Sequence, residues 1–342
     1  MSEGRRVRIA VDAMGGDHAP AEIVRGAVLA AQEDGTQIAL VGHKETLQGE
    51  LAKYRSCNGA VRLVEARDLI SEDESPALAV RNKPDSSIAV ATRLVRLGDA
   101  DAVVSAGSSG AVAVSAMQHL GMIDGVERPT VGGHLGSFAP NVVMMDIGAN
   151  ADCKPYQFLV FAIIGTVLVR QYLGIPNPTV GLLSTGREEG KGNDLVRESY
   201  DLLRDSGLNF IGNIEGNDVL SGNTNVVVCD GFVGNILLKF YESIPDYALT
   251  WTKAKLTKYP PMDRIVEMLF RKLFPVTKMT NASEEKGSGI LWGVNGVVRL
   301  AHGNCRAPAV ADAIRNARNA VSADVIECVK LELARFKAQG KL

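Results

Sequence analysis

The chain has 342 residues, 46% of them hydrophobic and only 5% aromatic, with a formal net charge of −2. That length suits one large α/β domain or two smaller ones sharing a sheet, and the apolar fraction is enough for a full core. The near-neutral balance argues against a field that recruits nucleic acid, and five scattered cysteines with no CxxC pair argue against zinc or a disulfide framework and for a reducing cytoplasm.

In chain order, the start MSEGRRVRIAV turns into a strand with no long apolar stretch and no cleavage site, so no signal peptide is expected. The strand runs directly into VDAMGGDHAP, residues 11–20. Further strand-like runs are TQIALVG, VRLVEA, DAVVSAG, NVVMMDIG, TVGLLSTG, NFIGNIEG, VVVCDG and GVVRLAHG. Helical periods lie between most of them, among them AEIVRGAVLAAQE, SSIAVATRLVRLG, NDLVRESYDLLRDSG and a long C-terminal stretch beginning APAVADAIRN. This alternation predicts βαβ units, a mostly parallel sheet and a single α/β domain over residues 1–342. The most apolar segment, residues 156–169, lies among 15 uncharged residues between Lys154 and Arg170. A membrane span needs roughly 20, so a buried helix is expected.

The strand ends carry the chemistry. VSAG runs into SSGA, MDIG into ANAD, LSTG into REEGKGND and VCDG into FVGN. Glycine turns the backbone sharply and removes the side chain that would block a ligand, and the following helix N-terminus favours an anion. In open α/β sheets ligands bind at these carboxyl ends. One such turn is ordinary βα-loop chemistry; four or five suggest a shared site for an anion such as phosphate. Lys191, in a glycine-flanked loop before a helix, is the leading candidate to meet it. GREEGKG fails as a P-loop, because only three residues separate Gly186 from Gly190 and Gly192 follows the lysine. No GxGxxG, HExxH or EF-hand motif is present.

Residues 253–278 hold seven Lys/Arg against two Asp/Glu. Within them Met262, Ile265, Val266, Leu269, Phe270 and Leu273 recur at helical spacing, with Arg264 and Arg271 mainly on the other side. An amphipathic helix with a basic face is expected. It could pack on its own domain or across a dimer, touch an anionic membrane, or dock an acidic carrier protein.

VDAMGGDHAP, RNKPDSS, SAGSSGA, ERPT, DIGANAD, GLLSTGREEGKGN, NFIGNIEG, CDGFVGN and GVNGVVRLAHG stand in the order found in the PlsX family, the phosphate acyltransferases of bacterial phospholipid synthesis. The chain resembles that family from about residue 7 to about 320. The resemblance implies a homodimeric three-layer α/β/α fold related to isocitrate and isopropylmalate dehydrogenases and to phosphotransacetylases. It implies that fatty acyl-carrier protein reacts with inorganic phosphate to give acyl phosphate, which then feeds a glycerol-3-phosphate acyltransferase. It implies a cytoplasmic enzyme with peripheral contact on the cell membrane, Lys191 and Asn235 as the catalytic pair, and no cofactor or metal. Gly15, Gly16, Asp17, His18, Ser108, Ser109, Asp146, Asn150, Ser184, Glu188, Gly231 and His302 are the expected substrate- or phosphate-binding set. The chain departs from the family pattern at Ser108 and Ser109 (usually Asn-Thr), at Ser184 (usually Asn), at Asn217 (usually Arg) and in HGNC, residues 302–305, including Asn304. An acyl-coenzyme A phosphotransacylase and a non-catalytic membrane-docked scaffold are the alternatives.

Overall fold

The computed structural model describes residues 6–34, 36–54, 59–136, 139–256, 268 and 289–342. In chain order the strands are β1 (Arg8–Asp12), β2 (Gln37–Gly42), β3 (Val61–Glu65), β4 (Ala102–Ser105), β5 (Thr130–His134), β6 (Val143–Met145), β7 (Thr179–Leu183), β8 (Asn209–Ile214), β9 (Val226–Val228), β10 (Ile290–Trp292) and β11 (Val297–Leu300). The helices are α1 (Ala21–Asp34), α2 (Lys44–Leu51), α3 (Pro76–Asn82), α4 (Ser87–Arg96), α5 (Ser109–Leu120), α6 (Pro155–Leu168), α7 (Asp194–Asp205), α8 (Gly231–Leu256), α9 (Ala307–Ser322) and α10 (Val325–Ala338). The chain forms two compact units, one of Met1–Gly132, Arg170–Gly174 and Gly289–Leu342, the other of Gly133–Val169 and Ile175–Ser288.

In the first unit the strands lie in the order β3-β2-β1-β4-β11-β10, followed by the start of β5. The first five are parallel, and β10 runs antiparallel to both of its neighbours. Side chains alternate across the sheet. Ala10, Ala39, Val41, Val103 and Val298 therefore share one face with Ile88, Ala91 and Leu94 of α4 and Val112 and Ala116 of α5. Helices α1 and α9 pack together on the other face. There Gly26 lets them close up, since a Cβ would fall 2.5 Å from the Val310 side chain. Glu22 in the first turn of α1 also accepts the Ala307 N–H at 2.8 Å, satisfying an orphan amide at the α9 N-terminus.

Strands β5 and β10 have no counterpart among the sequence-expected runs. TVGGH contains two glycines and ILW is three residues long, too little for a period of two to register. The long C-terminal stretch is two helices, α9 and α10. Asp324 breaks it at φ 49°, a left-handed conformation that Asp tolerates better than most residues.

The second unit holds a parallel sheet in the order β6-β9-β7-β8. Helices α6 and α7 pack on one face, and α8 covers a cluster of Leu135, Met144, Ile214, Val227 and Cys229 on the other. The apolar segment expected as a buried helix is α6, in which residues 157–168 are all buried. With the π-turn that follows, it is long and apolar enough to cross a membrane by composition. Its burial against β6, β9 and α7 accounts for that composition. Helices on both faces of each sheet give the three-layer, mostly parallel α/β class. Of the basic segment expected over 253–278, residues 257–267 and 269–278 lie outside the described residues.

Candidate active site

In the second unit three parallel neighbours, β6, β9 and β7, end side by side. Adjacent strands lie about 4.8 Å apart, so the loops leaving them share one edge of the sheet. From β6 comes Asp146, fully buried. Its carboxylate accepts the N–H groups of Gly148 (2.9 Å), Ala149 (2.7 Å) and Asn150 (3.0 Å), and the Asn150 amide Nδ2 at 2.7 Å. Burial pushes this carboxyl above the usual range, against four donors that favour its ionised form. The DIGAN turn is thus wound around its own acid.

From β9 comes Asp230, whose carboxylate accepts the Val233 N–H at 2.8 Å and caps α8. Gly231 donates its N–H to the Asn150 carbonyl at 2.7 Å. A Cβ on Gly231 would lie 2.8 Å from the Asn150 N and O, and one on Gly234 would lie 1.8 Å from the Asp146 carbonyl oxygen. The two glycines let α8 sit directly on the β6 loop. The result is an exposed Asn235 beside Gly148, with its Cβ 3.6 Å from where a Gly148 Cβ would stand.

From β7 comes the loop that carries Ser184, Glu188 and Lys191. Lys191 donates its N–H to the Glu188 carbonyl at 3.0 Å, and Asn213 of β8 donates to the same carbonyl at 2.9 Å. The Lys191 stem crosses Gly186, with Cγ 3.0 Å from where a Cβ there would be, while the residue stays exposed. The Ser184 hydroxyl is buried beside Gly192 and has no protein partner among the described residues. Asn193 caps α7 by accepting the Val196 N–H at 2.9 Å. This sheet edge therefore carries an exposed ammonium on the β7 loop and an exposed carboxamide at the start of α8, group types suited to an anionic nucleophile and a developing oxyanion.

The first unit gathers the remaining predicted residues at the ends of β1, β4 and β11, again sheet neighbours. Asp12 and Ser105 are register partners, and the Ser105 hydroxyl donates to the Asp12 carboxylate at 2.7 Å. Gly107 donates its N–H to Ser105 Oγ at 3.0 Å, and Met14 donates its N–H to Asp12 at 3.2 Å. A Cβ on Gly15 would stand 2.7 Å from both Asp12 and the Gly107 N, so this glycine is required by close approach. Gly16 has φ 102°, and Asp17 donates its N–H to the Gly303 carbonyl at 2.8 Å, joining the GGDH loop to the HGNC loop that carries His302. His18 accepts the Glu22 N–H through its carbonyl at the start of α1. Ser108 and Ser109 open α5. A cavity of about 10 Å³, near the room one water needs, lies among Asp12, Gly15, Ser87, Ser105, Gly107 and Ser108.

Asp12, Ser105 and Asp230 escaped sequence reasoning. Each is a polar residue at a strand end, immediately before the glycine-rich turn, and that position is the signal that could have found them. Asn217 and Asn304, two positions of departure, are exposed.

A family model described as fatty acid synthesis protein matches residues 7–328. The chain is 42% identical over 334 residues to a phosphate acyltransferase of Pelotomaculum thermopropionicum, covering 98% of this chain and 97% of that protein. Among solved structures it is similar to a phosphotransacetylase from Streptococcus pyogenes, with TM-score 0.63, 17% identity and 95% of each chain covered. A 4-hydroxythreonine-4-phosphate dehydrogenase from Klebsiella pneumoniae has TM-score 0.51 and 14% identity, over 92% of this chain and 98% of that one. These two likenesses concern the fold.

Proposed function

The chain belongs to the phosphate acyltransferase family, and on that premise we propose that it transfers a fatty acyl group from acyl-carrier protein to inorganic phosphate. The observation that carries the reading is the second unit's shared sheet edge, where the Lys191, Asn235 and Asp146 loops leave adjacent strands. A phosphate oxygen attacks the thioester carbonyl carbon and forms the new C–O bond. The C–S bond then breaks, and its electron pair leaves on the carrier thiolate, which takes a proton from solvent. Phosphate is already largely ionised near neutral pH, and a thiol has a pKa of about 8.5, so neither a strong base nor a strong acid is needed. The need is to hold an anion against an oxyanion. Lys191 neutralises the phosphate, Asn235 donates from its carboxamide to the carbonyl oxygen, and the Asp146 turn holds α8 in place for that donation. Ser184 Oγ, Gly231, Glu188 and Asn150 shape the same edge. Gly15, Gly16, Asp17, His18, Ser108, Ser109 and His302, at strand ends of the first unit, are the substrate-binding residues proposed within that unit.

The acyl phosphate formed serves phospholipid synthesis and suits a downstream glycerol-3-phosphate acyltransferase. A homodimer with peripheral membrane contact in the cytoplasm completes the proposal. Support for a covered surface comes from α8, where Phe232, Ile236, Phe240, Tyr247 and Trp251 are exposed along one stripe. Replacing Leu269 and Phe270 together and following liposome co-sedimentation tests the membrane part; unchanged binding refutes it. The function itself is tested with purified protein, palmitoyl-acyl-carrier protein and phosphate, trapping product with hydroxylamine. Phosphate-dependent hydroxamate with matched release of carrier thiol is expected. Its absence with carrier protein, and its presence with acyl-coenzyme A, would assign the alternative donor.

A further inference from the structure

Strand β8 carries a buried side chain to which the reaction above assigns no part. Asn213 is 5% exposed, and strands rarely place a carboxamide inside. In the sheet it stands opposite Leu182 of β7. Its Nδ2 donates to the Glu188 carbonyl at 2.9 Å, while its Oδ1 is buried with no partner among the described residues. An orphaned buried acceptor costs stability. Leucine has nearly the same shape and carries no such cost, so the packing of β8 does not account for Asn213. What the residue does is hold one carbonyl.

That carbonyl belongs to the loop of Lys191. The Lys191 N–H closes a turn on it at 3.0 Å, so its two lone pairs take one donor from the loop itself and one from β8. Gly190 and Gly192 flank Lys191, and glycine leaves a backbone many alternative conformations. A second tie joins the loop to the turn after β8, where Arg187 donates to the Asp218 carboxylate through Nε at 3.2 Å and Nη2 at 2.6 Å. The Arg187 side chain is 62% exposed, so solvent screens that pair. The Asn213 bond is the inner tie and the stronger constraint.

We propose that Asn213 is a positioning residue, which sets the Lys191 ammonium against phosphate by fixing the Glu188–Lys191 turn to β8. The proposal rests on the acyl-transfer reading for the role of Lys191. Asn213→Leu separates position from stability. It removes the orphaned oxygen and the donor together, and the Glu188 carbonyl keeps the Lys191 N–H. The urea midpoint should therefore stay at or above that of wild type. Amide hydrogen exchange at Lys191 should speed up about two- to tenfold, the weight of one neutral hydrogen bond. The kcat/KM for phosphate should fall about tenfold, part of the hundredfold that a displacement of about 1 Å costs. In a Lys191→Ala background the same substitution should change turnover less than about twofold, because a residue that acts through the lysine has nothing left to position. Asn213→Ala, which adds no bulk, serves if the leucine variant folds poorly. Unchanged exchange at Lys191 in a folded variant overturns the proposal. An equal loss of turnover with and without Lys191 also overturns it and assigns Asn213 to the packing of β8. Wild-type protein that binds inorganic phosphate by calorimetry, more weakly in Asn213→Leu, yet forms no acyl phosphate from carrier protein or coenzyme A, sinks the acyl-transfer reading and leaves the positioning role standing.

Discussion

Gly234→Ala is the sharpest single test of how α8 is held. The added Cβ would lie 1.8 Å from the Asp146 carbonyl oxygen and 3.0 Å from the Cys229 sulfur. The first contact is with backbone and cannot be relieved by a rotamer change. Opening it to 3.0 Å moves helix and loop apart by at least about 1.2 Å in an interior packed as densely as a crystal. Overpacking of this kind costs about 1–3 kcal/mol, and the better helix propensity of alanine returns about 0.8–1 kcal/mol. A net loss of up to about 2 kcal/mol is expected, read as a lower urea midpoint at unchanged slope. The same displacement carries Asn235, the next residue, away from its position. A misplacement of about 1 Å costs on the order of a hundredfold in rate, so turnover falls far more than the fraction folded. Gly190→Ala, where a Cβ meets nothing within 4 Å, is the control and should match wild type. Gly234→Ala with wild-type midpoint and turnover would refute the packing and the role of Asn235 together. A lowered midpoint with intact turnover would refute the role of Asn235 alone.

Three further outcomes follow from the same geometry. Lys191→Ala should lose about 10²–10³ in kcat, with a raised KM for phosphate and an unchanged urea midpoint, since the side chain is exposed. Asp230→Ala removes the cap on the Val233 N–H and should cost about 1 kcal/mol, visible as a lower midpoint. Asp12 tests the first unit through pH. Burial raises its carboxyl pKa, opposed by hydrogen bonds from Ser87, Ser105 and the Met14 and Gly15 amides. A group raised in the folded state contributes stability that is full below its unfolded value of about 3.9 and is lost as pH climbs through the folded one. Wild-type stability relative to Asp12→Asn should therefore decline as pH rises from 4 toward 7. A difference that grows over that range would mean that the ionised form is the one the site favours.

The sequence made one feature of the site plain and left another hidden, and the reason is the same for both. Glycine after a strand is visible because a backbone demand falls on a single position. A Cβ on Gly231 would stand 2.8 Å from the Asn150 backbone, so no other residue fits without a shift. The order of helices and most strands was legible for a similar local reason, the switch between periods of two and 3.6. The Asp12–Ser105 pair was not legible. Its members are 93 residues apart and meet only because β1 and β4 are neighbours in the sheet. The division into two units leaves no mark in composition either. Residues 170–174 fold with the first unit although the residues on either side of them fold with the second.

The place of β11 in the first sheet has a consequence for synthesis. It lies between β4 and β10, and its register pairs Val297 with Ala102, 195 positions earlier in the chain. While the polypeptide is being made, β4 leaves the ribosome with one edge paired to β1 and the other bare. That bare edge waits until residues 297–300 emerge, at about 5–20 residues per second. An unpaired strand edge is a template for a neighbouring nascent chain. The growing polypeptide thus passes through a window of about 10–40 s in which that edge stands open to a neighbouring nascent chain.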